Sequence, residues 1–403
     1  MPFANTAPLR RELAARIPDR PFTVRFWDGT SLPATAGEDG PTFTVRSPRA
    51  AAHALRAPGQ LGLGRAYVSG ELEVDDIDKV MVLLDSWQPP SLDGADKRAL
   101  LLGAVRATGL TAPPPRPAAE LVPTGRRHSK ERDARAVRHH YDVSNEFFAL
   151  FLDESMTYSC ANFSQSDAKT LEEAQEAKLD TVARKLAIQP GERVLDVGCG
   201  WGSFSIRAAK EYGANVVGIT LSEPQAQEAR RRAEAAGVGD KTEFRVMDYR
   251  DLIGEHFDAI SSIGMAEHVG AVQIDEYART LAALLEPGGR LLNHAIARLR
   301  HTDAEAGAFS ERYVFPDAAP LHLSRVLLAL ERAGFEVHHV EDYRMDYAET
   351  LKYWAENLDK NLDRATQLAG PERIRVWRLY LRAARNGFEK GFTSIYQARC
   401  EKS

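Results

Sequence analysis

"ERVLDVGCGWGSFSIRAAKEYG", residues 192–213, is the stretch that decides the fold. It opens on a short apolar run, as a strand buried on both faces would. Three alternating glycines follow, Gly198, Gly200 and Gly202, and then an amphipathic run. Glycines let a backbone turn tightly and approach a ligand closely, so strand, glycine loop and helix read as the opening of a ligand-binding α/β unit. The spacing is GxGxG with Asp196 just before the first glycine. A dinucleotide fingerprint needs an acid about 20 residues further on to hold a ribose. Gly218, Ile219 and Thr220 stand there instead, which disfavours a nicotinamide dinucleotide.

Outward from this stretch the pattern alternates. "ANVVGITLS" reads as a second strand and "EPQAQEARRRAEAAG" as its helix. "TEFRVMDYRDL", "FDAISSIGMAEHVG" and "GGRLLNHAIAR" supply three more strands with helices between them. Upstream, "TLEEAQEAKLDTVARKL" carries a capping box, Thr170 with Glu173, and sets Leu171, Ala174, Leu179, Val182 and Leu186 on one helical face. Alternating strands and helices predict a doubly wound, mostly parallel sheet. Residues 303–333 and 348–390 read as helical insertions, and "GFEVHHVEDY" and "FTSIYQAR" as late strands.

Residues 1–110 read as a small α/β domain with strands at "FTVRFWDG" and "TFTVRS" and a helix at "PRAAAHALRA". A Pro/Arg-rich linker is expected over 111–130 and the catalytic domain over 131–403. Between Arg126 and Arg138 six Lys/Arg face two acids. Arg126, Arg127, Lys130, Arg132, Arg135 and Arg138 read either as a solvated face or as a patch for anionic lipid head groups.

Composition is that of a globular chain with a real core: 44% hydrophobic and 27% charged residues in 403. A net charge of -5 gives no global positive field, so no nucleic-acid partner is expected. Three cysteines without metal spacing suit a reducing compartment and predict no metal site. No apolar run spans a bilayer and no signal-peptide core opens the chain. A cytoplasmic protein, peripheral at the inner membrane face, is expected.

The acid directly before GxGxG is similar to the S-adenosylmethionine (SAM) site of Rossmann-like class I methyltransferases. Such a site seats an adenosine, an amino-acid tail and a sulfonium. Asp248 in "VMDYRDL" reads as an acceptor for the adenine amine or as a helix cap, and Tyr249 as a stacking face. Tyr158 and Trp201 are rings able to flank a cation. Beyond the glycine loop, "HHYDVSNEFFALFLDESMTYSCANF", "VVGITLSEPQ", "SIGMAEHVG", "NHAI" and "DYAETLKYW" occur in this order. Together they resemble the cyclopropane-fatty-acyl-phospholipid synthase family over residues 138–400.

That resemblance implies methyl transfer from SAM to a cis double bond of an unsaturated phospholipid acyl chain at the membrane surface. Proton loss to a bound bicarbonate ion then closes a cyclopropane ring. It places the bicarbonate site at the backbone of Cys160, Gly264, Glu267, His294 and Tyr347, with Cys400 a weaker match. It places SAM contacts at Tyr158, Gly198, Gly200, Thr220, Leu221, Gln225, Asp248 and Tyr249, beside Asp196, Trp201 and Gly202 of the loop. Tyr249 departs from the tryptophan frequent in the family. A homodimer is also implied.

The chemistry requires such groups. An alkene has no proton to lose before it attacks, so a base is useless in the first step. Fixed negative charge near the developing cation lowers the barrier, and exclusion of water protects it. Bicarbonate is expected to donate to Glu267 while His294 and Tyr347 donate to its other oxygens. His268 is expected to pack or cap behind Glu267, and Cys199 to be a packing residue. Leu321, Leu323, Val326 and Leu327 read as acyl-tunnel walls or as ordinary core. A methylene-branched product, from a different proton loss, is the alternative outcome.

Overall fold

The structure, a computed structural model, describes all residues except 1–4, 38, 58, 109–113, 123, 126, 134, 136–142 and 303–306. The chain divides into two compact units, Met1–Glu120 with Gly370–Ala383, and Leu121–Ala369 with Ala384–Ser403.

The first unit holds a four-stranded sheet of β1 Thr23–Arg25, β2 Ser31–Leu32, β3 Thr42–Val45 and β4 Leu72–Val74, in the order β2-β1-β3-β4. The Asp28-Gly29 turn joins β1 to β2, closed by Phe26 N–H donating to the Thr30 carbonyl over 2.8 Å. Helices Pro48–Arg56, Gln60–Val68, Ile77–Ser86 and Gly94–Thr108 belong to the same unit. Buried Arg65 meets Glu120 through two hydrogen bonds of 2.7 and 2.6 Å. The chain returns at 370–383: Glu372 accepts from Ala119 N–H (3.0 Å) and Arg382 donates to Asp78 (2.8 Å). The expected boundary near 110–130 lies close to the division at Glu120/Leu121, but the return was not expected.

The second unit is built on seven strands: β5 Arg193–Val197, β6 Asn215–Thr220, β7 Thr242–Val246, β8 Phe257–Ile263, β9 Leu285–Arg298, β10 Phe335–Asp342 and β11 Thr393–Lys402. Their order is β10-β11-β9-β8-β5-β6-β7. β5 to β9 run parallel, and β11 inserts antiparallel between β9 and β10. This is the doubly wound α/β architecture that the glycine-loop stretch predicts. Apolar layers cover both faces. Helices Leu171–Lys185, Ser203–Tyr212 and Glu223–Ala235 pack Leu179, Phe204 and Ala229 on one side. Helices Ala266–Ala283 and Leu323–Arg332 pack Tyr277, Leu281 and Leu330 on the other. The capping box forms: Thr170 accepts from Glu173 N–H, and Glu173 accepts from Thr170 N–H.

Leu321, Val326 and Leu327 pack into the layer with Tyr277 and Leu330, and Leu323 is half-buried at the start of its helix. The sheet order reverses at β5, whose neighbours are β6 and β8. Ligands of open α/β sheets bind outside the strand ends at such a reversal. Among the described residues no helix is long and apolar enough to cross a membrane.

Candidate active site

A cleft enclosing about 1360 Å³, its open mouth included, lies against the ends of β5, β6 and β8. The glycine loop forms its floor. Gly200 adopts φ +54° and has open space where a Cβ would stand. Gly202 serves another purpose, because it is absent from the cleft lining. It caps the helix Ser203–Tyr212 at φ +83°, and a Cβ there would meet Ala229 and Phe244 at 3.0 Å. Asp196 lines the cleft, yet both its oxygens are taken, by Ser205 and Ser261 hydroxyls at 2.7 Å each. It ties the loop to the helix and to β8, and its burial raises its pKa.

Tyr158, Gly198, Trp201, Thr220, Leu221, Gln225, Asp248, Tyr249 and Gly264 also line the cleft. The Thr220 hydroxyl donates to the Gln225 side-chain oxygen Oε1 over 2.8 Å, fixing both at the end of β6. Asp248 caps its short turn by accepting from Arg250 N–H (2.9 Å), and its carboxylate also receives the Arg250 guanidinium. Burial would raise the Asp248 carboxyl, and the Arg250 bonds outweigh it and lower it. The Tyr158 ring stacks on Trp354 at 5.1 Å, and Trp201 donates to Asn145 over 2.8 Å.

Sequence reasoning missed several lining groups. Lys178 is fully buried, with Nζ 2.9 Å from the Ser159 hydroxyl, and burial lowers its pKa to about 8. Its signal was present: it sits between Ala174 and Val182 on the apolar stripe of its helix. His268 lines the cleft instead of packing behind Glu267, and burial followed by the charge of His128 lowers its pKa to about 4. The basic stretch also forms cleft wall through His128 and Asp133. Arg132 grips Asp317, Arg127 lies 3.5 Å from it, Lys130 pairs with Asp251 and Arg135 donates to the Thr124 carbonyl. Arg126 and Arg138 lie outside the described residues.

A second group lies behind Gly264. Its N–H donates to the His294 carbonyl over 2.8 Å, and its Cβ position lies 4.0 Å from Glu267 Oε1. Thus one glycine touches both the helix start that carries Glu267 and the strand β9 that carries His294. Glu267 Oε2 and His294 Nε2 are buried with no hydrogen-bond partner among the described residues. Burial raises the Glu267 pKa to about 7, against lesser opposing bonds from backbone N–H groups. Burial, then the charges of Lys178 and Lys185, hold His294 well below its ordinary range.

The Tyr343 ring stacks near His294 at 6.1 Å, and the Tyr343 carbonyl lies 3.6 Å from Cys160 Sγ. Cys160 is fully buried, and burial pushes its thiol pKa up. Tyr347 is buried one turn beyond Tyr343, its ring 4.8 Å from Phe388 and 6.0 Å from Trp354. Cys400 is buried in the core beside Leu291. Among the described residues no His/Cys/Asp/Glu cluster could hold a metal.

An apolar cleft with aromatic rings at one wall, an acid–aromatic pair at the other and room above Gly200 suits SAM. The comparisons agree. Residues 128–398 match the model of the family described as Mycolic acid cyclopropane synthetase. A probable fatty acid methyltransferase of Mycobacterium tuberculosis is 39% identical, covering 97% of this chain and 93% of its own. The cyclopropane-fatty-acyl-phospholipid synthase of Escherichia coli is 32% identical, covering 84% and 82%. Among solved structures, mycolic acid cyclopropane synthase CmaA1 complexed with SAH and CTAB superposes with TM-score 0.63 at 33% identity, covering 67% of this chain and 98% of its own. The chain belongs to the mycolic acid cyclopropane synthetase family and is a SAM-dependent methyltransferase.

Proposed function

We propose that this enzyme methylates the cis double bond of an unsaturated phospholipid acyl chain and closes a cyclopropane ring by proton loss to a bound bicarbonate. The supporting observation is a buried carboxyl oxygen and a buried ring nitrogen, Glu267 Oε2 and His294 Nε2, both without hydrogen-bond partners among the described residues and close to a SAM-type cleft. Buried polar groups are nearly always paired, and a small oxyanion that also donates a proton suits these two. Cys160 lies in the same neighbourhood, since it and His294 both lie against Tyr343, and its N–H would be a further donor to the ion.

When bound, SAM supplies an electrophilic methyl group. Thr220, Leu221, Gln225, Asp248 and Tyr249 would hold its adenosine, and Gly198, Gly200, Trp201 and Tyr158 its amino-acid and sulfonium end. Asp196 and Gly202 would hold the loop in shape. Bicarbonate, when bound, supplies the base. Glu267 at its raised pKa would accept the ion's proton or share one, while His294 and Tyr347 would donate to its oxygens. The surrounding apolar side chains exclude water that would compete for the lipid cation.

The enzyme would work as a cytoplasmic, peripheral protein at the inner membrane face, as a homodimer, with its N-terminal unit meeting lipid. Incubation with labelled SAM and vesicles of unsaturated phospholipid tests the reading. Label in the lipid and high-field ring protons in its proton spectrum are expected, with turnover that slows reversibly in bicarbonate-free buffer. No label in lipid would end the reading. The second reading is a methylene-branched product; the 39% identical relative carries the broader name fatty acid methyltransferase, which specifies no ring closure. It predicts vinylidene protons instead.

A further inference from the structure

Behind His294 runs a chain of hydrogen bonds that the reaction above does not use. Gln397 faces His294 directly across the β9–β11 pairing, and both side chains are buried. Gln397 Nε2 lies 3.1 Å from His294 Nδ1, and Gln397 Oε1 lies 2.7 Å from Lys185 Nζ. Lys185 also donates to Glu341 and, over 3.1 Å, to the Tyr343 hydroxyl. All three N–H bonds of its ammonium therefore have acceptors.

This fixes a direction. An ammonium only donates, so the glutamine oxygen must face Lys185. The reverse amide orientation would set an NH2 group against the ammonium at the same distance. Gln397 Nε2, itself only a donor, then faces His294 Nδ1, which must accept and carries no proton. Burial lowers the Lys185 pKa and the Glu341 carboxylate opposes it; three acceptors around Nζ are the geometry of an ammonium. Burial would raise Glu341, and the bonds from Lys185, Tyr343 and Gln165 outweigh burial and hold it at about 2. A neutral imidazole has one N–H, which is left for Nε2, the ring nitrogen with no partner among the described residues.

We propose that Lys185 and Gln397 are positioning residues that lock His294 as the neutral Nε2–H tautomer, a single fixed donor for the oxyanion. Its use in catalysis rests on the function proposed above; the tautomer itself does not. The other tautomer would turn a lone pair toward the anion and leave Gln397 with two donors facing an N–H.

The test uses the full chain labelled with 15N-histidine. Long-range 1H–15N correlation reports which ring nitrogen carries the proton, with His294 assigned by the signals lost in His294→Gln. The expected wild-type pattern is Nε2 protonated and Nδ1 bare. Gln397→Glu sets an acceptor against Nδ1 and is expected to move the proton there. It should lower kcat by about 100-fold or more, in the direction a wrong tautomer takes in other histidine sites, with KM for SAM changed by less than about twofold. Lys185→Met is expected to blur the pattern and Lys185→Arg to restore it.

A wild-type His294 protonated at Nδ1, or a Gln397→Glu spectrum unchanged from wild type, overturns the proposal. The wild-type spectrum decides it even where a variant fails to fold. The expected spectrum together with bicarbonate-independent turnover would sustain the tautomer and overturn the functional reading, so the two failures are distinguishable.

Discussion

Burial of Glu267 makes the stability of the fold depend on pH. An unfolded chain releases its proton near the ordinary 4.5, whereas burial holds the folded carboxyl at about 7. Between those values the folded state binds more protons than the unfolded one, so stability is fullest below 4.5 and falls as pH rises through 7. The loss across that window is on the order of 3 kcal/mol. Glu267→Gln cannot titrate and should escape it. Urea melts in bicarbonate-free buffer are expected to show the variant gaining about 3 kcal/mol relative to wild type between pH 4.5 and pH 8. Parallel curves would mean that Glu267 is not a buried acid with a raised pKa. The same variant should lose turnover by about 100-fold or more while binding SAM within about twofold of wild type. Equal losses of both would assign Glu267 to cofactor binding. Glu267 was named through the string "SIGMAEHVG" that carries the resemblance, and the structure adds that this acid is buried, where a carboxylate is costly. Gln397 was not legible, because an uncharged residue in a late strand reads as ordinary until its cross-strand neighbour is known.

The glycine loop shows at element scale how identical residues do different work. Gly200 and Gly202 both need a left-handed backbone, and alanine there costs about 1–2 kcal/mol in strain. Only Gly202 is also crowded, by Ala229 and Phe244 at 3.0 Å, so overpacking adds about 1–3 kcal/mol. Gly202→Ala is therefore expected to lower folding stability about twice as much as Gly200→Ala, measured by urea melts. Calorimetric SAM titration should reverse the ranking, because only a Gly200 methyl enters the open space of the cleft. A larger SAM defect in Gly202→Ala would undo this division. The spacing of the three glycines announces the loop, yet spacing carries no information about which Cβ would meet a neighbouring helix. The strands were legible for a related reason: buried parallel strands must be continuous apolar runs, whatever packs on them. His268 was misplaced because its helix face depends on how Gly270, at φ +74°, breaks that helix.

At the scale of the whole molecule, what the sequence hides is where separated segments meet. Residues 348–390 read as one helical run, and the break that sends 370–383 to the first unit is marked only by Gly370-Pro371. The basic stretch is the more consequential case. Six positive side chains suggested head-group binding, but the described ones spend their charge within the protein. Arg132 holds buried Asp317, and Arg127 adds to it. Lys130 pairs with Asp251, and Arg135 donates to a backbone carbonyl. Opposite charges elsewhere in the chain, distant in sequence, neutralise a patch that looks strong when counted locally. Charge attraction to anionic vesicles should therefore be weak. Raising salt from about 0.05 M to about 0.5 M, which shrinks the screening length severalfold, is expected to reduce vesicle binding by less than about threefold in a sedimentation assay. A steep loss would mean that cations of this stretch act at the membrane by charge and govern attachment. Arg132→Ala separates the two cases: with internal pairing it leaves buried Asp317 with Arg127 alone and weakens SAM binding at the cleft wall, leaving vesicle binding unchanged.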